Sequence, residues 1–276
     1  PPKPHPRIPV PEALYGPERR NSAGIDLSDR LRLDMLQRDL ATALARPWRA
    51  APLAGGIELP GKPRPVLDPA DRRRQVGEVV EADSSQVEQA LARAERAARS
   101  WDATPVSERA RVLERAADLY EKHGAELMAL VIREGGRTIP DALSELREAV
   151  DFCRYYAARA RADLEPRSLP GPTGERNTLS LHGRGVFACI SPWNFPLAIF
   201  TGQVVAALAA GNAVIAKTAE QTPLVAARAV RLLHEAGVPV DALHLLPGDG
   251  TTVGARLVAD PRVSGVAFTG STETAR

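Results

Sequence analysis

The chain has little cysteine, two residues in 276. That excludes a disulfide framework and fits a reducing compartment. It also has no excess of one charge: 36 Lys and Arg against 34 Asp and Glu leave +2, too even for a nucleic-acid surface. Basic clusters do occur at Arg19-Arg20 and Arg72-Arg-Arg74, but no aromatics interleave them, so they read as solvated faces or loops. No amino-terminal signal pattern is present, although an excerpt of a longer chain could have lost one. No internal repeat and no metal site are found. Residues 190–216 carry no charge, a length that raises the question of a membrane span. Pro192, Asn194, Pro196, Gln203, Gly211 and Asn212 interrupt that run, so it reads as a turn, a buried helix over about 196–210 and a buried strand. With 44% hydrophobic and 25% charged residues, the expectation is a soluble, cytoplasmic globular enzyme piece.

The breaks in the pattern give the organisation. Residues 1–20 are proline-rich and should be an extended surface segment. Residues 29–45 have helical periodicity, with Ser28 as the expected N-cap. Residues 47–69, rich in Pro and Gly, read as irregular chain. Helices are expected near 84–100, 105–123, 125–134 and 141–163. The first of these places Val87, Ala90, Leu91, Ala94 and Ala98 on one face. Residues 166–174 form a breaker run, and 177–181 with 185–190 suggest a strand pair.

The most informative stretch is Ile190-Ser-Pro-Trp-Asn-Phe-Pro196. Two prolines oppose a continuous strand or helix there, leaving a stiff corner. The Asn194 carboxamide at that corner offers two uncharged N–H donors, suited to a developing oxyanion. Taken alone, an Asn in a loop more often caps a local turn.

Three strand-to-helix junctions follow. Ala213-Val-Ile-Ala216 ends at Lys217, and Thr222-Pro223 starts a helix that Gly237 stops. Leu243-His-Leu-Leu246 runs into Pro247-Gly-Asp-Gly250 and a helix over 251–259. The strand at 263–268 leads to Thr269-Gly-Ser-Thr272. Short buried strands alternating with helices predict an α/β fold: a doubly wound parallel sheet with helices on both faces. Its Gly-rich turns would lie at the strands' carboxyl ends, where such sheets bind ligands. Helix starts there attract phosphate. Gly270 permits close backbone approach and Ser271 adds a hydroxyl. Lys217 could reach a ribose or phosphate oxygen, and Glu220 could accept from ribose hydroxyls and repel a 2′-phosphate. Each signal is weak singly; three turns in register carry the reading.

Together, Ser191-Pro-Trp-Asn-Phe-Pro196, Lys217-Thr-Ala-Glu220-Gln-Thr-Pro223, Leu246-Pro-Gly-Asp-Gly250 and Phe268-Thr-Gly-Ser-Thr272 resemble the aldehyde dehydrogenase superfamily, over roughly residues 76–276. The resemblance implies a Rossmann-like NAD-binding sheet preceded by a helical segment, a separate thiol-bearing catalytic domain and an oligomerisation flap. A Cys thiolate would attack the aldehyde, a Glu-activated water would hydrolyse the thioester, and Asn194 matches the amide that holds the oxyanion. Lys217 and Glu220 match positions holding the adenine ribose, and Ser271 one at the pyrophosphate. Ile190, Ser191, Pro192, Trp193, Gly250 and Gly270 match the lining of the cofactor cleft.

A narrower resemblance lies in His5-Pro-Arg-Ile-Pro-Val-Pro-Glu-Ala-Leu-Tyr-Gly16, Arg20-Asn-Ser-Ala-Gly-Ile-Asp-Leu27 and Pro196-Leu-Ala-Ile-Phe-Thr-Gly-Gln203. These look like the bacterial bifunctional proline-utilisation family, in which a connector follows a flavin-containing barrel and the second half is L-glutamate γ-semialdehyde dehydrogenase. Ala275 departs from the Gly common elsewhere in the superfamily. The implied layout is a connector with one helix at 1–50, the helical part of the NAD-binding domain at 51–170, part of the flap at 171–185 and a truncated Rossmann-like core at 186–276. FAD would belong only to the upstream barrel, and the complete protein is expected to be a homo-oligomer acting on a small aldehyde. Neither Cys153 nor Cys189 sits where the family has its thiol, and both read as buried. The catalytic thiol domain is thus expected to be absent from these residues, which by themselves should be inactive. Another semialdehyde dehydrogenase, or a cofactor-binding module without chemistry, are the alternatives.

Overall fold

The computed structural model describes His5 and residues 7–276; the rest of the proline-rich beginning, 1–4 and Pro6, lies outside the described residues. After one tight turn at Pro11–Ala13 come α1 (Arg30–Leu44), β1 (Trp48–Ala50), β2 (Leu53–Ala54), β3 (Ile57–Glu58), β4 (Pro63–Asp68) and β5 (Asp71–Val80). A helical run follows: α2 (Ser84–Asp102), α3 (Val106–Lys122), α4 (Gly124–Gly135) and α5 (Ile139–Asp163). The remainder alternates: β6 (Arg167–Leu169), β7 (Asn177–Leu179), β8 (Val186–Ile190), α6 (Ala198–Ala209), β9 (Ala213–Lys217), α7 (Pro223–Glu235), β10 (Leu243–Leu245), α8 (Ala255–Ala259), β11 (Val263–Phe268) and α9 (Thr272–Ala275).

The main sheet runs β11-β8-β9-β10-β2-β3. Its first four strands are mutually parallel, while β2 and β3 pair antiparallel at the far edge. Alternate side chains of the parallel strands enter two separate cores, as a strand's period of two requires. Val214 and Ala216 join α3–α7 on one face; Ala213 and Ile215 join Val87 and Leu91 of α2 and Leu257 of α8 on the other. Helices on both faces explain why β8 and β9 are apolar on both sides. The fold is therefore the expected doubly wound α/β arrangement, with its uncharged 190–216 stretch divided into turn, α6 and β9. Among the described residues no helix is long and apolar enough to cross a membrane.

Four readings are corrected. Residues 47–69 are not irregular: β1, β5 and β4 form a three-stranded sheet, with Pro63 opposite Val80 and Pro65 opposite Glu78. These prolines fit because β4 is an edge strand, where a missing N–H costs no ladder bond. The breaker run at 166–174 contains β6, which pairs with β7. The expected pairing of 177–181 with 185–190 does not form. Instead β8, buried on both faces, enters the sheet between β11 and β9. The cap of α1 is Asp29, which accepts from the Leu31 and Arg32 amides, while Ser28 bonds to Asp26.

A buried cation on α3 ties together the ends of α6 and α2. Arg109 donates to the carbonyls of Ala209 (3.2 Å), Asp102 (2.9 Å) and Thr104 (2.5 Å). Carbonyls at the ends of α6 and α2 are thereby satisfied, where a cation also suits the helix dipole. The connector is pinned similarly. Both oxygens of Asp151 take hydrogen bonds from Ser22, and Arg154, itself paired with Asp118 and Glu121, donates to the Asn21 carbonyl.

Candidate active site

In strand register, Ile190 lies opposite Lys217 on one side and Phe268 on the other. The loops after β8, β9 and β11 therefore leave the sheet at one level. The chain passes from β8 outward to β9 and β10, then returns to β11 beside β8. This reversal opens a crevice between the β8 and β11 loops, the place where such sheets bind ligands. Ser191, Pro192, Trp193 and Asn194 follow β8; Gly270 and Ser271 follow β11. Lys217 and Glu220 stand at the end of β9, one strand away. Gly250 follows β10, three strands from β11, about 14 Å at the usual strand spacing. The rim therefore spans a length suited to an extended dinucleotide rather than a single compact site.

The loop ends are tied. Ser191 N donates to Lys217 O (3.2 Å) and Thr269 N to Ile190 O (3.1 Å). Gln203 on α6, which sequence reasoning did not assign to the site, bridges both loops: its Nε2 donates to Ile190 O (3.2 Å) and Thr269 Oγ1 (3.0 Å). The turn from Pro192 to Pro196 stands out between these ties, with Trp193 55% exposed at its tip. Hydrogen bonds hold Ser191, Leu197 and Ala198, and among the described residues none engages the Asn194 carboxamide. Its donors are free.

Lys217 is buried. Burial pulls its ammonium below the usual lysine range, opposed by Glu220, Asp249 and Glu81. Its Nζ donates to Thr218 O (3.1 Å), and an ammonium has three donors, so two remain for a ligand oxygen. Glu220 is exposed, and its carbonyl accepts from Arg64 (3.2 Å), whose charge is already matched by Glu81. The β4–β5 hairpin thus reaches the rim, which a reading of 47–69 as irregular chain could not show.

Not all helix starts at the rim are open to an anion. Glu145 accepts from Leu197 N (3.1 Å) and Ala198 N (3.4 Å) at the start of α6. Glu134 does the same for Leu224 N (2.6 Å) and Val225 N (2.9 Å) at α7. Asp249 caps the turn before α8 through Thr252 N (2.5 Å). The start of α9 is capped by a hydroxyl, Ser271 Oγ accepting from Thr274 N (3.2 Å), and the Glu273 carboxylate of its first turn is held low by its own amide and by the Ser271 hydroxyl. Acidic side chains thus occupy the starts of α6 and α7 from other helices, whereas the Gly270-Ser271 corner is capped from within its own turn, where a helix start favours an anion. At Gly270 an added Cβ would come within 2.5 Å of the Phe268 ring, so the bare backbone there keeps the corner open.

At Gly250 an added Cβ would meet nothing within 4 Å. The two thiols are a different matter. Cys153 and Cys189 are fully buried, and burial pushes each up to about 12. A buried, protonated thiol is inert. Changing both to alanine should leave turnover of the full-length protein within roughly twofold, and a dead double variant would overturn their exclusion.

Residues 59–276 match the model of the aldehyde dehydrogenase family. The bifunctional protein PutA of Klebsiella aerogenes is 50% identical over 272 residues, 99% of this chain but 20% of that protein's length. The 1-pyrroline-5-carboxylate dehydrogenase of Anoxybacillus flavithermus is 38% identical over 205 residues, covering 74% of this chain and 40% of that one. The solved 1-pyrroline-5-carboxylate dehydrogenase from Thermus, crystallised with bound NAD, superposes with a TM-score of 0.86 at 34% identity, over 92% of this chain and 50% of its own. The chain therefore spans about a fifth of the PutA relative, and it belongs to the aldehyde dehydrogenase family.

Proposed function

We propose that these residues form the NAD-binding part of an L-glutamate γ-semialdehyde dehydrogenase, within a bifunctional proline dehydrogenase and aldehyde dehydrogenase that converts proline to glutamate. The observation carrying this reading is the free Asn194 carboxamide at the crevice where β8 and β11 part, flanked by Lys217 and the Gly270-Ser271 corner. The 50% identity to a PutA protein over nearly the whole chain supports the substrate, and the NAD-bound relative supports the cofactor.

The residues fit that dinucleotide. Lys217, at the end of β9, has two N–H groups beyond the one given to Thr218 O, and the exposed Glu220 would accept from ribose hydroxyls. The Gly270-Ser271 corner takes phosphate, and Ile190, Ser191, Pro192, Trp193 and Gly250 line the remaining wall. When bound, the dinucleotide supplies the hydride acceptor. Asn194 donates to the substrate oxygen as it becomes an anion, after attack by a thiolate and before hydrolysis through a general base, both contributed from outside these residues. Pro192 and Pro196 keep the amide aimed without reorganisation, the condition under which such a donor is most effective. FAD would act only in the upstream half, and assembly into a homo-oligomer belongs to the complete protein.

Glu220 should set the cofactor preference, since its carboxylate favours ribose hydroxyls and repels a 2′-phosphate. Glu220→Ala is expected to narrow the NAD-over-NADP ratio of kcat/KM roughly tenfold, the size of one lost charge-assisted hydrogen bond. Steady-state kinetics with both cofactors checks this, and an unmoved ratio would reassign the residue. The substrate reading is tested by comparing kcat/KM for glutamate γ-semialdehyde with that for succinate semialdehyde; preference for the latter would favour another semialdehyde dehydrogenase.

A further inference from the structure

The geometry points to Glu145, seconded by Arg137, as the positioning residue that aims the Asn194 amide. This inference rests on the role proposed for Asn194. The corner bearing Asn194 is anchored at its beginning by the sheet, through Ser191 N and Lys217 O. Its other end has no strand partner. There the amides of Leu197 and Ala198, three and four residues after Asn194, both donate to one oxygen of Glu145. Glu145 comes from α5 in the helical layer and is 1% exposed, so it is a fixed point rather than a surface contact.

Its second oxygen, Oε1, faces Arg137 Nε at 3.5 Å. Both atoms are buried, and neither has a hydrogen-bond partner among the described residues. The Arg137 guanidinium lies 4.8 Å from the centre of the Phe195 ring, the residue directly after Asn194. A cation over an aromatic face restricts the ring, and the ring's backbone carries the peptide that follows Asn194. One carboxylate thus holds the far end of the corner while its paired cation holds the residue next to the amide. Among the described residues neither side chain hydrogen-bonds to Asn194, Lys217 or the Gly270-Ser271 corner, so each acts through the backbone of the turn and is a positioning residue.

A carboxylate is well suited to this task. It can accept from two consecutive amides at a helix start, where the helix dipole favours its charge. Without it, both amides at the buried start of α6 would lack partners, and the turn could relax toward new ones. A displacement of about 1 Å at a reacting group can cost as much as a hundredfold in rate. The consequence is specific: losing Glu145 should damage the step Asn194 serves and leave dinucleotide binding at the β9 and β11 loops intact.

The test is a double-mutant cycle in the full-length enzyme, using Glu145→Ala, Glu145→Gln, Arg137→Met and Asn194→Ala. Glu145→Ala should lower kcat roughly tenfold or more, with NAD dissociation constants unchanged within about twofold. Glu145→Gln, which keeps one accepting oxygen, should be intermediate. Combined with Asn194→Ala, each change should add little further loss, because residues acting through one group are not additive. Losses that multiply in the double variants, or a falling melting temperature with kcat intact, would overturn the positioning role alone. If Asn194→Ala by itself leaves kcat unchanged, the proposed site fails and this inference falls with it. Should Glu145→Ala not fold, Glu145→Gln and Arg137→Met complete the same cycle.

Discussion

Asn194→Ala is expected to lower the turnover number of the full-length enzyme roughly a hundredfold or more, the loss of ~2.7 kcal/mol found when one oxyanion donor is removed. NAD affinity should stay close to its original value, since in the proposed site the Asn194 side chain serves the substrate oxygen and other residues of the β8, β9, β10 and β11 loops hold the cofactor. The structure makes this a clean measurement. The carboxamide engages no protein partner among the described residues, so truncation strands no buried group and the fold should be unaffected. Asn194→Asp should be at least as damaging, because a carboxylate there opposes the anion that the amide supports. Single-turnover NADH formation is the readout; an unchanged rate would remove Asn194 from the chemistry.

The second large effect lies in stability. Glu134 is buried at the start of α7, where both its oxygens accept backbone amides. Burial pushes its carboxyl up from 4.5 to about 8, against the pull of the Leu224 and Val225 amides. The folded chain therefore holds a proton between about pH 4.5 and 8 that the unfolded chain has released. Stability from this group is complete below that window and is lost as pH rises through it, to a total of several kcal/mol. The melting temperature should accordingly fall between pH 5.5 and 8 by more in the original protein than in Glu134→Gln, which cannot ionise. Parallel melting curves would contradict the raised carboxyl. Glu134→Ala leaves two buried amides unpaired and should cost about 2–5 kcal/mol below that window, and less as pH rises through it.

What could be read in the chain follows the reach of each signal. The sheet strands at 213–217 and 263–268 and the helices of the amphipathic run were legible because periodicity and caps are local. So was the rim, since glycine turns fall where strands hand over to helices. The β4–β5 hairpin was not legible, because Pro63 and Pro65 argue against a strand until it is known to be an edge. The pairing of β7 with β6 rather than β8 was hidden for a similar reason: partner choice is decided by which strand can be buried on both faces. At the proposed site, Asn194, Lys217 and Gly270 are singled out by their neighbours in sequence. Gln203, Glu145, Glu134 and Arg137 are not. Their contacts reach chain up to 91 residues away, such as Gln203 with Ile190 and Glu134 with Val225, and a lone Glu on a helix carries no sign that it will cap a different one.

The central claim is that the crevice between the β8 and β11 loops seats a dinucleotide beside a rigid amide. A crystal structure of the full-length protein with NAD tests it most directly. The account predicts ribose oxygens within hydrogen-bond reach of Lys217 Nζ, a phosphate at Ser271, and the nicotinamide end beside the Pro192–Pro196 turn. Density for the dinucleotide on another face of the sheet, or at the starts of α6 and α7 in place of Glu145 and Glu134, would contradict it.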